Sequence, residues 1–348
     1  MSGKVYFLPW AKREKLYEFL KKARAFDHVK ARHFLAIKMH FGEDGNEGFI
    51  KPPFVKPLVK IAREKTAFPF LTDASTIYVG KRSDAYHHAL IAEKHGFTIS
   101  ECGCPVIIAD GLRGNSAVNV EVNGKHCKTV SIAHDIFYSD SFIFLNHFKG
   151  HEITGFGGAL KNIGMGCGSK AGKYEMHHNA KPDVNKKICI GCGICVKWCP
   201  AMALSLKNKK ITLNEKKCIG CGECVLSCPK GVFQLGWNED VKNIQEKIIE
   251  YCTGVLKNKK SFSINFLNHI TKFCDCYTTK GKVLMEDIGI MAGADPVAVD
   301  KASVDMVNKV YGKDFCREIF PEIDYMTQFE YAKKMGLGSP DYELVEYK

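Results

Sequence analysis

The sequence predicts an α/β fold with a mainly parallel sheet, interrupted by a smaller inserted α+β domain. Short apolar segments alternate with segments of helical apolar spacing, which favours a parallel sheet covered by helices. One stretch breaks this alternation, because it contains eight regularly spaced cysteines. We therefore expect a discontinuous α/β domain made of residues 1–183 and 238–348, with a cysteine-rich insert at residues 184–237.

The α/β prediction rests on two kinds of segment. Short apolar runs bounded by turn or charged residues indicate strands, and apolar residues at helical spacing indicate helices. Asp295 followed by Pro296 is a strong helix start, with Asp as the N-cap and Pro at the first helical position. The predicted strands are 34–39, 69–71, 106–109, 141–145 and 261–266. The predicted helices are 14–24, 53–65, 84–95, 241–256 and 296–310.

The composition is that of a soluble globular protein. Of the 348 residues, 45% are hydrophobic and 25% are charged, which is ordinary for folded domains. No run reaches the roughly 18 apolar residues of a membrane span. The first ten residues lack the apolar stretch of an export signal. We therefore expect a cytoplasmic protein with no membrane partner.

Much of the net charge of +12 lies in the cysteine-rich insert. Residues 184–237 contain nine lysines against Glu215 and Glu223, which gives this segment +7 (9 − 2). A basic chain can have a polyanionic partner, but no nucleic-acid-reading motif is recognisable here. We therefore expect no nucleic-acid partner.

Eight of the 16 cysteines form two copies of one motif. Residues 189–200 read C-x2-C-x2-C-x3-C-P, and every cysteine recurs 29 residues later, in residues 218–229. The two copies resemble bacterial two-cluster ferredoxins, in which one loop binds three corners of a 4Fe–4S cube and the cysteine before proline reaches the other cube. The resemblance implies two clusters with interlaced ligands: Cys189, Cys192, Cys195 and Cys228 for the first, and Cys218, Cys221, Cys224 and Cys199 for the second.

The residues around these cysteines suit a buried anionic centre. Gly191, Gly193, Gly220 and Gly222 let the loops turn tightly and present N–H groups to sulfur, and the lysines offset the cluster charge. Zinc is one alternative, but zinc favours two pairs of cysteines. Clusters with a purely structural role are another. Because exposed clusters are oxygen-labile, we expect an anaerobic or low-oxygen host.

A second group of candidates lies in residues 146–178, directly after a predicted strand. Eight glycines fall between residues 150 and 172, so the backbone must turn sharply or approach a neighbour closely. Four of the 13 histidines lie here as well, and imidazole transfers protons or binds metals near neutral pH. Because sheets of this kind bind ligands at the carboxyl ends of their strands, we expect a pocket for an anionic small molecule, or for an additional cofactor or metal.

The candidate residues of this pocket fall into two sets. The candidate catalytic residues are His147, His151, Lys161 and His177. The candidate cofactor-binding residues are Gly155, Gly157, Gly158, Lys161, Gly164 and Gly166. Lys170, Lys173 and His178 are further basic side chains of the segment. The alternative is a glycine-rich loop without a ligand, in which each histidine has a structural role.

Nearly the whole chain resembles the proteins that carry the domain of unknown function 362 with an inserted ferredoxin. The recognisable segments are residues 38–53, 71–80, 110–114, 147–151, 155–167, 274–277 and 287–300. This resemblance implies the fold and little about the reaction.

The spacing of His151, Lys161 and His177 is similar to that of lactate racemase, whose glycine-rich loop carries a nickel pincer cofactor. This second resemblance implies proton exchange at His151, cofactor attachment at Lys161 and nickel ligation at His177. His40 is the candidate for the second proton-exchanging histidine.

Three further cysteines and two loop cations are candidates for smaller roles. Cys167, Cys274 and Cys276 would form a third metal site if the fold gathered them, and buried free thiols are the alternative. Lys51 and Arg113 would bind an anionic substrate if their loops lined the pocket.

These observations predict an iron–sulfur oxidoreductase in which two 4Fe–4S clusters relay low-potential electrons to the pocket. One alternative is a non-catalytic electron-transfer protein whose α/β part docks a redox partner protein. Another is a nickel-cofactor racemase-like enzyme with structural or sensing clusters. A simple electron carrier does not need so large a second domain, which favours the first prediction.

Overall fold

The two regions that flank the insert contribute strands to one central sheet. The computed structural model describes residues 3–78, 80–177, 182–199, 201–218, 222–234, 239–278 and 281–347. In chain order the strands are β1 (Gly3–Pro9), β2 (Phe34–Lys38), β3 (Phe68–Asp73), β4 (Val106–Ile108), β5 (Ala117–Glu121), β6 (Thr129–Ala133), β7 (Ser141–His147), β8 (Lys149–His151), β9 (Gly155–Gly157), β10 (Asp183–Val184), β11 (Leu204–Lys207), β12 (Lys210–Leu213), β13 (Phe233–Gln234), β14 (Lys260–Leu267), β15 (Gly289–Gly293) and β16 (Tyr342–Glu346).

Helices cover this sheet. They are α1 (Leu16–Lys22), α2 (Lys56–Glu64), α3 (Ala85–Lys94), α4 (Ile99–Cys102), α5 (His134–Tyr138), α6 (Ala159–Cys167), α7 (Lys170–His177), α8 (Ile194–Trp198), α9 (Glu223–Ser227), α10 (Val241–Leu256), α11 (Pro296–Tyr311), α12 (Phe315–Ile319) and α13 (Met326–Lys334). Short 3-10 turns occur at Trp10–Lys15, Pro52–Phe54 and Lys186–Ile188.

The central sheet has the strand order β16-β1-β15-β14-β7-β2-β3-β4. Its neighbouring strands are parallel except at β15, which runs antiparallel to both β1 and β14. This mainly parallel α/β sheet was predicted. Because β14 to β16 follow the insert and β1 to β7 precede it, both flanking regions belong to one sheet.

Side-chain alternation on β7 shows why the sheet is buried on both faces. Phe142 and Phe144 pack into the core on one face, whereas Ile143 and Leu145 pack into the core on the other. A strand buried on both faces reads as a continuous apolar run. Such runs made the five predicted strands recognisable, and all five are present, as are the five predicted helices.

Two regions differ from the prediction. The edge-side strands β1, β15 and β16 were not predicted, and β15 has the sequence GIMAG, which lacks a strong strand signal. The glycine-rich segment is not a loop, because it forms the β8–β9 hairpin followed by α6 and α7. Its glycines allow close packing instead: a Cβ atom at Gly164 would collide with the carbonyl oxygen of Ile248, and one at Gly172 with that of Ser131.

The insert has a small core of its own. Strands β10 and β13 pair antiparallel, as do β11 and β12. Cys195, Leu204, Ile211, Val232 and Phe233 form the buried cluster between them. Residues 179–181, just before the insert, lie outside the described residues, as do Trp237 and Pro200.

Two ion-pair or cation–ring contacts join the insert to the α/β unit within the described residues. Lys170 at the start of α7 forms a buried ion pair with Glu223, 3.3 Å away. The guanidinium of Arg113 lies over the Trp198 ring at the end of α8.

Within the described residues, no helix is both long enough and apolar enough to cross a membrane.

Candidate functional site

A cavity of about 560 Å³ lies at the carboxyl ends of β2, β3 and β7. Each of these parallel strands ends in a residue that lines it: Lys38, Asp73 and His147. The other walls come from the β8–β9 hairpin, α6 and α7, and from loop residues within 40–43, 74–82 and 274–278. The expected position of the pocket, after β7 and at the carboxyl edge of the sheet, is therefore where the cavity lies.

All four candidate catalytic residues line this cavity. His147 ends β7, His151 ends β8, Lys161 lies in the first turn of α6, and His177 ends α7. His40, the further candidate, also lines it. His178 lies outside the described residues. The fold thus gathers side chains that are up to 137 residues apart in sequence (177 − 40).

Lys161 is a cation of the cavity wall that is not paired with a carboxylate of the described residues. It is partly buried and makes no ion pair within the described part of the chain. The start of its helix, α6, is held in place, because the Asp300 carboxylate accepts hydrogen bonds from the N–H groups of Ala159 and Leu160, at 2.7 and 2.8 Å. Burial raises the pKa of Asp300 to about 6. The arrangement leaves the Lys161 ammonium facing the cavity, where it can bind an anion.

His151 is held as a neutral ring. Its Nδ1 accepts a hydrogen bond from the N–H of Ile153 at 3.1 Å. Burial, together with the charge of Lys161, holds the pKa of His151 well below its ordinary value. A neutral imidazole that accepts at Nδ1 carries its proton on Nε2. His151 can therefore donate a hydrogen bond at Nε2 to a bound molecule.

His147 has both ring nitrogens engaged. Its Nδ1 lies 2.8 Å from an Asp275 carboxylate oxygen, and its Nε2 lies 2.8 Å from the Asn268 carbonyl oxygen. Burial opposes ionisation of Asp275, but the charges of His147 and Lys149 hold the pKa of this carboxyl below its ordinary value. His147 therefore positions the 274–276 loop, and neither of its nitrogens is available to a ligand.

The candidate glycines divide into two groups. Gly157, Gly158 and Gly166 line the cavity, whereas Gly155 and Gly164 do not. Gly155 has φ +73° in the β8–β9 turn, and a Cβ there would lie 2.7 Å from Tyr325. Gly164 packs against α10. The structure therefore gives these last two glycines packing roles.

A buried ionic network in the wall of the cavity was not predicted. Lys38 pairs with Asp73 at 2.8 Å, and Arg82 pairs with Glu43 at 3.2 Å. Lys173 lies beside them, and burial lowers its pKa to about 8. The one available sequence signal was that Lys38 and Asp73 directly end apolar strands.

The remaining loop candidates lie elsewhere. Lys51 is not part of the cavity wall, and its ammonium lies over the Phe49 ring. Arg113 contacts the insert at Trp198. The expectation that both cations bind substrate is therefore not supported, because neither side chain lines the cavity.

The predicted third metal site is not assembled. Cys274 and Cys276 line the cavity, but Cys167 is fully buried in the core, with its Sγ 3.7 Å from the Asn162 carbonyl oxygen. Among the described residues, no group of three or more His, Cys, Asp or Glu side chains could hold a metal ion.

In the insert, four predicted ligands come together. Cys189, Cys192, Cys195 and Cys228 line one small depression. Burial, and then the proximity of Cys228 and the other two, raises the pKa of Cys195 to about 11. Of the second predicted set, Cys199, Cys218 and Cys224 are described, and Cys221 lies outside the described residues.

Backbone N–H groups face two of these sulfurs. The N–H of Ala203 donates to Cys199 Sγ at 3.2 Å, and that of Val232 donates to Cys228 Sγ at 3.4 Å. Gly191, Gly193 and Gly222 have φ values of +70°, +73° and +68°, which allow the tight turns expected of them. Gly220 lies outside the described residues.

Comparison with known proteins places the chain in a family. The model of the domain of unknown function (DUF362) matches residues 35–305. A crystal structure of a Thermotoga maritima protein has 14% identity and a TM-score of 0.46, with 86% of this chain and 59% of that chain covered. The lactate racemase apoprotein of Thermoanaerobacterium thermosaccharolyticum has 11% identity and a TM-score of 0.35, with 77% and 51% covered.

This chain thus matches little more than half the length of either structure. No curated protein gives a significant match. Because the family model spans well over half of the sequence, the chain belongs to the DUF362 family.

Proposed function

We propose that this protein is an iron–sulfur oxidoreductase in which the insert exchanges single electrons with the cavity. The observation that carries the proposal is the position of α7, which contacts the insert at one end and lines the cavity at the other. Two 4Fe–4S clusters would supply low-potential electrons, and the cavity would bind an anionic small molecule or a cofactor.

The cysteine environment supports cluster binding in the insert. A cube spaces its four thiolates more widely than a single metal ion does, and four thiols around one depression suit that spacing. N–H groups that donate to Cys199 and Cys228 would stabilise the anionic sulfurs. The interlaced set Cys189, Cys192, Cys195 and Cys228 is the one that the ferredoxin resemblance implies.

Helix α7 supports a connection between the two regions. At its N-terminal end, Lys170 pairs with Glu223, and Tyr174 packs beside Gly222. At its C-terminal end, His177 lines the cavity. Eight helical residues span about 12 Å. The loop that carries the second predicted cysteine set therefore lies about one short helix away from the cavity.

The charge of the cavity supports an anionic ligand. Five basic side chains line it (Lys38, Arg82, Lys149, Lys161 and Lys173), against three carboxylates (Glu43, Asp73 and Glu152). Lys161 is available to bind an anionic group, and His151 can donate an Nε2 hydrogen bond nearby. These two residues would bind and orient a molecule that accepts electrons.

Cluster reoxidation tests the proposal. Anaerobically purified, dithionite-reduced protein is freed of reductant and mixed with small anionic acceptors such as nitrite, fumarate and 3,3'-dithiodipropionate, and the visible absorbance is followed. At least one acceptor should oxidise the protein at a rate that the inert dicarboxylate adipate inhibits and that Lys161→Met slows. If adipate and Lys161→Met change no rate, electrons leave at the surface of the insert and the proposal is wrong.

A nickel-dependent, racemase-like activity is a second candidate. The observation in its favour is that His151, Lys161 and His177 all line the same cavity. Nickel analysis of protein produced with added nickel separates the two candidates. Stoichiometric nickel that is lost in Lys161→Met and His177→Ala supports this candidate, and nickel-free active protein contradicts it.

A further inference from the structure

Two thiols meet at the wall of the cavity. Cys274 and Cys276 both line it, and the Cys274 thiol donates to Cys276 Sγ with the sulfurs 3.0 Å apart. Only a small movement of the side chains is needed to bring such sulfurs to bonding distance. Asp275, between them, is fixed by His147 and Lys149, at 2.8 and 3.2 Å. The loop therefore holds the two thiols against each other, facing the cavity.

The surroundings favour a thiolate at Cys276. The His40 Nδ1 accepts from the N–H of Gly42 at 2.9 Å, which leaves the Nε2 proton directed at Cys276 Sγ, 3.5 Å away. The hydrogen bond from Cys274, together with His40 and Arg82, holds the pKa of Cys276 well below its ordinary value despite burial. The same hydrogen bond, together with burial, raises the pKa of Cys274. One sulfur is thus prepared as a nucleophile and the other keeps its proton.

The chain contains an internal control for this geometry. Cys102, which ends α4, and Cys104 have the same spacing but are buried in the apolar core. Burial raises the pKa of Cys102 to about 11 and that of Cys104 to about 12. The Cys-x-Cys spacing therefore occurs in one pair of buried thiols with raised pKa values and in one pair at the cavity wall.

We propose that Cys274 and Cys276 form a redox-active dithiol–disulfide pair that exchanges with an anionic small-molecule disulfide bound in the cavity. The Cys276 thiolate attacks one sulfur of the bound disulfide, whose S–S bond breaks and releases one thiolate. The Cys274 proton passes to that thiolate, and the Cys274 sulfur then attacks Cys276 Sγ and releases the second thiolate. The protein is left with a Cys274–Cys276 disulfide, and the substrate has gained the two electrons.

Reduction of the Cys274–Cys276 disulfide back to the dithiol rests on the proposed function, because the clusters supply the electrons. The protein disulfide takes two electrons, one from each 4Fe–4S cluster, and one proton, and its S–S bond breaks to give the Cys274 thiol and the Cys276 thiolate. Two clusters that each donate one electron thus match one disulfide that takes two electrons. The basic wall selects the substrate, because Lys149 and Lys161 lie near the two thiols and attract carboxylates.

The test uses two disulfides of similar size and opposite charge. Reduced full-length protein of known iron content is mixed under argon with 3,3'-dithiodipropionate or with cystamine, acid-quenched, alkylated and analysed by peptide mass spectrometry. The Cys274–Cys276 peptide should become an internal disulfide, about tenfold faster with dithiodipropionate, while Cys102 and Cys104 stay alkylatable. Cys274→Ser should stop at a mixed disulfide on Cys276, and Cys276→Ser should form no adduct.

Three results would overturn the inference. The first is that Cys274 and Cys276 stay reduced in iron-loaded protein after an excess of dithiodipropionate. The second is that the 102/104 and 274/276 pairs are oxidised equally, and the third is that stoichiometric zinc is bound to Cys274 and Cys276. The relay is tested separately, in protein whose clusters are reduced when the Cys274–Cys276 disulfide forms: the cluster absorbance should recover as that disulfide is reduced again. A disulfide that persists beside reduced clusters supports the dithiol pair and contradicts the proposed electron source.

Discussion

The insert and the cavity position their reactive residues in opposite ways. In the insert, three candidate ligands lie within seven residues, from Cys189 to Cys195, and tight glycine turns bring them together locally. In the cavity, the residues come from strands β2, β3 and β7, from α6 and α7, and from a loop after β14. A local site can be recognised from spacing, whereas an assembled site depends on the order of strands in the sheet. Substitutions should therefore act independently in the two regions.

The largest effect is expected from Cys228→Ala. Cys228 lies 39 residues from Cys189 but lines the same depression (228 − 189). If it is the fourth ligand there, iron should fall from about eight to about four atoms per chain, while adipate affinity at the cavity stays unchanged. Iron and acid-labile sulfide analysis measures the first quantity, and calorimetry measures the second.

Cys102→Ala is the matched control, because it removes a buried thiol far from the insert, and it should retain all the iron. Full iron content in Cys228→Ala would contradict the interlaced assignment.

Lys161→Met should have the opposite effects to Cys228→Ala, because it changes the cavity and not the insert. It removes an available cation from the cavity, and a charge-assisted hydrogen bond contributes about 1.5–3 kcal/mol. Adipate affinity should therefore fall about ten- to hundredfold, while iron content and visible absorbance stay unchanged. Lys94→Met is the control, since Lys94 pairs with Asp44 on the surface. Loss of absorbance in Lys161→Met would mean that this lysine supports the fold of the whole chain.

Ligand affinity should also depend on pH through Lys173. Burial lowers the pKa of Lys173 to about 8, so the side chain is a cation below that pH and neutral above it. Adipate keeps its charge over this range, and its affinity should fall about fivefold between pH 7 and pH 9. Calorimetry at several pH values checks this. In Lys173→Met the affinity should be lower at pH 7 and should lose this dependence; an unchanged pH profile would show that Lys173 does not contact the ligand.

The smallest effect is expected where the two regions touch. Arg113 lies over the Trp198 ring, and such contacts contribute about 1 kcal/mol. Arg113→Ala should lower the urea midpoint of cluster bleaching slightly and leave the unfolding of the α/β unit unchanged. Arg13→Ala is the counterpart, because Arg13 lies over Trp10 within the α/β unit. Identical shifts in both variants would show that the insert does not unfold separately.

The difference between a local site and a site assembled from distant segments explains how much could be predicted from the sequence. The strands that end at Lys38, Asp73 and His147 were recognisable because they are apolar and buried on both faces. The cavity lies at the carboxyl end of β7, where a pocket was expected, and the candidate residues His147, His151, Lys161 and His177 line it.

The rest depended on tertiary contacts that have no local signal. Lys38 and Asp73 read as ordinary charges until β2 and β3 are paired. Cys276 has the same spacing to its partner as Cys104 has, and the hydrogen bond from Cys274, together with the approach of His40 and Arg82, distinguishes it. Glycines in α6 and α7 resembled a loop because the neighbours that require them, Ile248 and Ser131, are distant in sequence.

The central claim is that the insert holds two redox-active iron–sulfur clusters beside the cavity. Metal analysis combined with EPR spectroscopy of anaerobically purified protein tests it most directly. The account predicts about eight iron atoms per chain, an equal amount of acid-labile sulfide, and the signals of reduced 4Fe–4S clusters after dithionite. Colourless protein that contains zinc and gives no EPR signal after dithionite would contradict it.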